Sequence, residues 1–413
     1  MNSITRTFFS VLCAASAGTF AAAETLELKS GLFEGRGATA TLAELPEKAE
    51  TPEAVFARAA VEMLAAVEEL GRDFSAHGLR FEAGRELPVP FLRLPVPVNP
   101  DPKPTRAKDV RRVLDTFHAR LAAIDARLVA IEGREFKTVI PLGAAGFDFK
   151  GTGKPEDRVS FGPFFAQLAT RGPARNEDQR AAENFAVAFD QTDALWLRAY
   201  TNLLRGLADV LLAHDGGELF ATTGHLYFAR AETAFARLLA ERGEKEPRRD
   251  FGSIADIIAT IHGLDLPVSE PARLARARGE LLEMVRLSRA TLDSAATETD
   301  DDREWLPSPK QNSVFNLRLD EAQTTAWRGV LDELEALLEG KKLLPHWRFP
   351  REGYGMNLRR LFEENRRTDL IGYIQGAAAV PYLEEGPTTS VATWRELMRV
   401  FGGNFLGYAL WIN

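Results

Sequence analysis

The chain has 413 residues, a formal net charge of −8 at neutral pH and one cysteine, Cys13. A chain this long can bury a large core as one domain or two. The acidic balance lacks the basic surplus that nucleic acid or an anionic membrane surface would require, and one cysteine allows no internal disulfide and no multi-cysteine metal site.

The N-terminus reads as a Sec-type signal peptide. Arg6 supplies the positive start, Phe8 to Phe20 is an apolar run too short to span a bilayer, and Ala21–Ala22–Ala23 gives the small-residue cleavage pattern. Residues 1–23 are therefore expected to be removed, which places the protein in the periplasm or outside the cell. Loss of Arg6 takes the net charge from −8 to −9, and Cys13 leaves with the signal. The mature chain is then cysteine-free, with no thiol nucleophile, and no further segment reads as transmembrane.

Helical periodicity begins at Thr51, an N-cap followed by Pro52 and Glu53. Val55, Phe56, Ala59, Met63, Leu64, Val67 and Leu70 form its apolar stripe. Residues 87–104 then carry proline at nearly every second or third position, which forbids helix and central strand. Their Val, Phe and Leu side chains predict an extended strap lying on the protein. Val110 to Ile131 is a second amphipathic helix, expected to pair with the first as a hairpin. Further helices are predicted at about 176–214, 219–241, 254–262, 272–294, 320–339, 358–374 and 394–410, with Ser253, Ser269 and the Thr393-x-x-Glu396 box as start signals. Alternating βα patterning is absent. The fold class is mostly α, a multi-helix globular bundle with a few short strands near residues 136–149. Residues 24–150 read as an N-terminal helical-hairpin region and 151–413 as a larger C-terminal helical region. The glycine-rich turn between them equally fits one continuous domain.

That turn, Phe147 to Asp157, invites two site readings. A phosphate loop is excluded because Asp148 stands at its first glycine and Pro155 at its hydroxyl position. A degenerate EF-hand-like calcium loop would use Asp148, Thr152 and Glu156, with Gly153 at the sharp turn, but Lys150 and Val159 replace two ligands. A second acidic cluster, Asp300, Asp302 and Glu304, alternates along an extended segment and is the other calcium candidate. No other cofactor is expected.

The zinc signatures built on His-x-Glu and His-Glu-x-x-His are absent, as are the serine-nucleophile motifs. His214, Asp215 and His225 flank a Gly-Gly turn and are the best local candidates for acid–base chemistry. Near the C-terminus, Trp347, Arg348, Tyr354 and Arg359 mix aromatic rings with guanidinium groups, a combination suited to recognising a ligand or partner. The sequence leans away from an enzyme. It predicts an exported helical protein that binds a protein or small-molecule ligand, or acts structurally in the cell envelope. The alternatives are a hydrolase using carboxylates or the His214–Asp215 pair, and a calcium-dependent binding module.

Overall fold

The computed structural model describes residues 25–80, 94, 96–162, 185–241, 251–314 and 319–401. The signal segment, residues 87–93 and 95 of the strap, and residues 402–410 of the last predicted helix lie outside them. Among the described residues the chain is mostly α-helical, with small sheets of two or three strands. No helix among them is long and apolar enough to cross a membrane.

Helix α1 spans Ala38–Glu44 and α2 spans Pro52–Ala76. Thr51 caps α2 as predicted, its hydroxyl accepting from Ala54 N at 3.3 Å. Helix α3, Ala107–Val129, buries Val113, Phe117, Leu121, Ile124 and Leu128 and packs on α2. The described part of the strap lies against the protein. Leu94 and Val96 join the main core, and the Asn99 side chain donates to Ser75 O at 3.0 Å.

The central helix is α4, Gln191–Leu212, packed between α3 and α8 (Pro271–Thr297). Its start corrects the expected helix from residue 176. Val187–Phe189 is instead a strand, β5, and Asp190 caps α4 by accepting from Thr192 N at 2.7 Å. Strand β5 pairs antiparallel with β2 (Thr138–Ile140), which pairs parallel with β1 (Leu26–Glu27). Strands β3 (Gly146–Phe147) and β4 (Val159–Ser160) pair antiparallel and hold the glycine turn between them. Strands β2 and β3 lie within the expected 136–149, β1 and β4 lie outside it, and β5 is one that the helical stripe concealed.

The predicted helix over 219–241 is two, α5 (Gly217–Tyr227) and α6 (Ala234–Glu241). Between them the backbone pairs with the chain on either side of the strap, Ala229 N donating to Gly78 O and Glu232 N to Thr105 O. Helix α7 spans Phe251–Gly263, α9 spans Glu321–Leu338 and α12 spans Val391–Arg399. All three start signals are displaced, Ser253 lying inside α7, which begins at Phe251. Helix α8 begins at Pro271 after Glu270, and Ser390, accepting from Thr393 N at 2.9 Å, caps α12. The helix predicted over 358–374 is broken into α10 (Leu358–Glu364) and α11 (Leu370–Gln375) by strand β8 (Arg367–Asp369). Asn365 ends α10, its Oδ1 accepting from Arg367 N at 3.1 Å.

Strand β8 pairs with β6 (Asp265–Pro267), and β7 (Tyr354–Met356) pairs with β9 (Leu383–Glu385). The main apolar core runs from Phe33 to Phe401 and draws on both sides of residue 150. A small separate cluster, Met356, Ala379 and Tyr382, lies under the C-terminal strands.

Candidate functional site

The glycine turn closes on its own backbone. Asp148 Oδ1 accepts from Gly151 N at 2.8 Å and Thr152 N at 3.3 Å, and its Oδ2 from Gly153 N at 2.8 Å. Gly151 and Gly153 both sit at φ +68, where a side chain would be strained. Thr152 Oγ1 donates to Asp157, Lys150 pairs with Asp157, and Glu156 is exposed. The three calcium candidates of this loop therefore do not form an oxygen cage. The carboxylate that would bind the ion holds three backbone N–H groups instead.

The second acidic cluster also divides. Lys137 Nζ sits 2.7 Å from Asp300 Oδ2 and 3.1 Å from Asp302 Oδ2, so an ammonium group occupies the space between them. Glu304 turns inward, its Oε1 accepting from Asp302 N at 3.0 Å. Burial, reinforced by Glu298 and Asp190, pushes the Glu304 carboxyl up to about 8. Burial, and next Glu298, push Asp190 up to about 6, and buried Asp193 is raised too.

These shifts have a definite sign. The folded chain holds the Glu304 proton up to about pH 8, whereas the unfolded chain releases it near 4.5. Stability from this group is full below the unfolded value and is lost as pH rises through the folded one. Glu304→Gln should therefore gain on the parent by about 4 kcal/mol at pH 8, with most of that difference gone at pH 5. Urea unfolding at the two pH values checks this, and equal differences at both would contradict it.

The local histidine constellation is also dispersed among different partners. His214 Nδ1 meets Val210 O at 2.6 Å and its Nε2 meets Thr368 Oγ1 at 2.6 Å. Burial holds its pKa below the usual imidazole value. Asp215 Oδ1 accepts from Gly217 N at 2.9 Å, and His225 Nε2 faces Asp256 at 3.5 Å. The two histidines tie elements together, whereas Asp215 closes only the local turn. His214 links the end of α4 to β8, and His225 links α5 to α7.

A titratable group that sequence patterns missed lies in the main bundle. His118 of α3, Asp209 of α4 and Glu280 of α8 converge, with His118 Nε2 3.4 Å from Asp209 Oδ2 and 3.4 Å from Glu280 Oε1. Asp209 is 0% exposed and accepts from Arg273 Nη1 at 2.7 Å and Arg276 Nη2 at 2.9 Å. Asp209 first, then Glu280, push the His118 imidazole up to about 9. The one clue in the sequence is Asp209 itself, a charge inside the apolar run Leu207–Leu212.

The aromatic–arginine candidates lie at the surface. Trp347 is 68% exposed, its Nε1 donates to Ile374 O at 2.9 Å, and Arg348 sits 4.7 Å over its ring. Arg351 lies 5.6 Å over Tyr354, and Arg359 pairs with Glu363 at 3.4 Å. Trp347 borders a much larger apolar surface. Helix α7 exposes Phe251 (89%), Ile254, Ile257 (61%), Ile258 and Ile261. Leu370 N donates to Leu264 O at 2.9 Å, which joins the end of α7 to the start of α11. Helix α11 exposes Leu370, Ile371 and Ile374, and α6 exposes Phe235 and Leu238. His225 meets Phe235 edge-on at 5.0 Å and faces Asp256, so α5 supports both α6 and α7 from below.

Comparison with protein-family models, curated proteins and solved structures finds no match to this chain. The reading of its sites therefore rests on their chemistry.

Proposed function

We propose that this protein is an exported docking protein and that its docking face takes an apolar helix of another protein. The observation that carries this reading is the exposed apolar surface of α7. Phe251, Ile254, Ile257, Ile258 and Ile261 all face solvent to a large extent. Isolated surface hydrophobes are ordinary, but a contiguous row of large ones marks an interaction surface. Exposed side chains of α6 and α11, together with Trp347, add to the row on α7.

The chemistry favours a helix as the occupant. Ile254, Ile257, Ile258 and Ile261 follow the three- and four-residue steps of a helical ridge, which fits the groove of another helix. Arg237 of α6 and Arg348, which lies over Trp347, are exposed, so an acidic flank on the incoming helix would complement them. A membrane surface is less suited, because the chain is acidic overall. The hydrolase and calcium-module alternatives draw no comparable support, since their candidate residues are engaged with different partners.

A triple variant tests whether the face is free. Phe251→Gln, Ile254→Gln and Ile257→Gln together should change unfolding stability by less than ~1 kcal/mol, because these side chains already face water. Denaturant unfolding of parent and variant measures it. A loss of several kcal/mol would mean that the row packs onto the protein itself, and the docking face would not exist.

A further inference from the structure

We propose that His118, Asp209 and Glu280 bind one divalent first-row transition-metal ion, zinc or manganese in chemical class, between helices α3, α4 and α8. This inference is independent of the docking face. Among the described residues this is the one group of three such side chains whose donor atoms lie within 4.8 Å of one another.

Geometry carries the argument. An N–H···O hydrogen bond spans about 2.7–3.2 Å. His118 Nε2 stands 3.4 Å from an oxygen of each carboxylate, and it makes no hydrogen bond. A tetrahedral ion with bonds of about 2.0–2.2 Å holds its ligands about 3.4 Å apart. The two observed separations are therefore those of ligand edges around an ion. Glu280 adds a second observation. It is 5% exposed, and both of its oxygens are buried without a hydrogen bond. Oε1, the oxygen that faces His118, also meets Arg205 Nη2 at 2.8 Å, whereas Oε2 has no ion-pair partner among the described residues. A buried carboxylate oxygen without a donor is costly unless a cation meets it.

The surrounding arginines bear on whether a dication is tolerated. Arg273 holds Asp209 Oδ1, and Arg276 Nε donates at 2.5 Å to the same Oδ2 that faces the imidazole, so an ion would share that oxygen with a guanidinium. Their repulsion of an ion is moderated by carboxylates on their outer sides. Arg273 pairs with Asp115 at 2.6 Å and Glu270 at 2.7 Å, and Arg205 reaches Asp125 at 3.4 Å. One imidazole nitrogen with two carboxylate oxygens suits zinc, manganese or iron(II) better than calcium or copper(I). Three protein ligands leave a position for water, and His118 is partly open to solvent. The competing account is a metal-free network in which a protonated His118 bridges the carboxylates.

The test uses full-length, tag-free protein stripped with EDTA. Titration calorimetry with zinc and with manganese should show one saturable site per chain, with elemental analysis giving one ion after dialysis. Zinc should raise the thermal midpoint, because it binds only the folded state. His118→Gln and Glu280→Gln should each weaken binding at least ten-fold while keeping the helical circular-dichroism signal. Imidazole ¹⁵N spectra of the unaltered protein give a readout that needs no variant, in which zinc should shift the His118 resonance selectively. Absence of stoichiometric binding would overturn the proposal. So would equal binding by both variants, or an unmoved His118 resonance, each of which leaves the metal-free ion network.

Discussion

Glu68→Ala should cost about 3–5 kcal/mol of folding stability. Glu68 is 0% exposed, and its carboxylate serves three backbone donors and one guanidinium. Its Oε2 accepts from Ala38 N at 2.7 Å and Asp148 N at 2.7 Å. Its Oε1 accepts from Thr39 N at 3.2 Å and Arg72 Nη2 at 2.7 Å. Ala38 and Thr39 open α1, whose N-cap is Gly37 and so offers no side-chain acceptor. Glu68 thus caps α1 from across the fold and anchors the glycine turn at Asp148. Truncation strips those buried N–H groups of their acceptor and leaves Arg72 without its carboxylate. Glu68→Gln keeps an acceptor oxygen and should cost less. Gly37→Ala should also destabilise, since its Cβ would lie 2.4 Å from Glu68 Oε2. Urea unfolding orders the three variants, and a Glu68→Ala loss below ~1 kcal/mol would contradict this account.

Asp209→Ala should be comparably damaging, at about 3–5 kcal/mol, because it removes the shared acceptor of a buried charge network. Arg273 and Arg276 both donate to this carboxylate, and His118 faces it. Burial pushes the Asp209 carboxyl up, but the His118 imidazole, then Arg276 and Arg273, together hold it well below its ordinary value. Without Asp209, Arg273 retains Asp115 and Glu270, whereas Arg276 has no other ion-pair partner among the described residues. Arg276→Met alone should therefore cost much less than Asp209→Ala, and Asp209→Ala/Arg276→Met should recover part of the loss. Chemical denaturation of the single and double variants measures the coupling. Strict additivity would contradict a shared network.

These two positions also mark where sequence reading stops. Thr51, Pro52 and the stripe of α2 are local signals, and the helix starts where they place it. The apolar steps of α3 and the long run of α8 are equally local. Glu68, by contrast, reads as one more polar position on a helix, and its partners at 38, 39 and 148 are distant in sequence. His118, Asp209 and Glu280 come from three helices, so no spacing rule could unite them. Local likeness misled at Asp148, where an EF-hand-like pattern describes a turn held by its own N–H groups. It misled again before Gln191, where the helical stripe ran back through Phe185 and Phe189. The Asp190–Asp193 capping box was the signal that marked the true start. The aromatic–arginine stretch placed Trp347 and Arg348 at the surface, but the larger neighbour, α7, was read only as a helix. Periodicity finds an apolar stripe and does not tell which side of the protein it faces.

The docking face is tested most directly by photo-crosslinking in cells that naturally make the protein. A benzoylphenylalanine at position 257 samples the exposed row of α7, and one at exposed Lys48 serves as the control. The account predicts one discrete adduct with a different protein from position 257, absent from position 48 and lost when Phe251 and Ile254 are made Gln. Adducts only with a second copy of this chain, only with lipid, or none at all would contradict it.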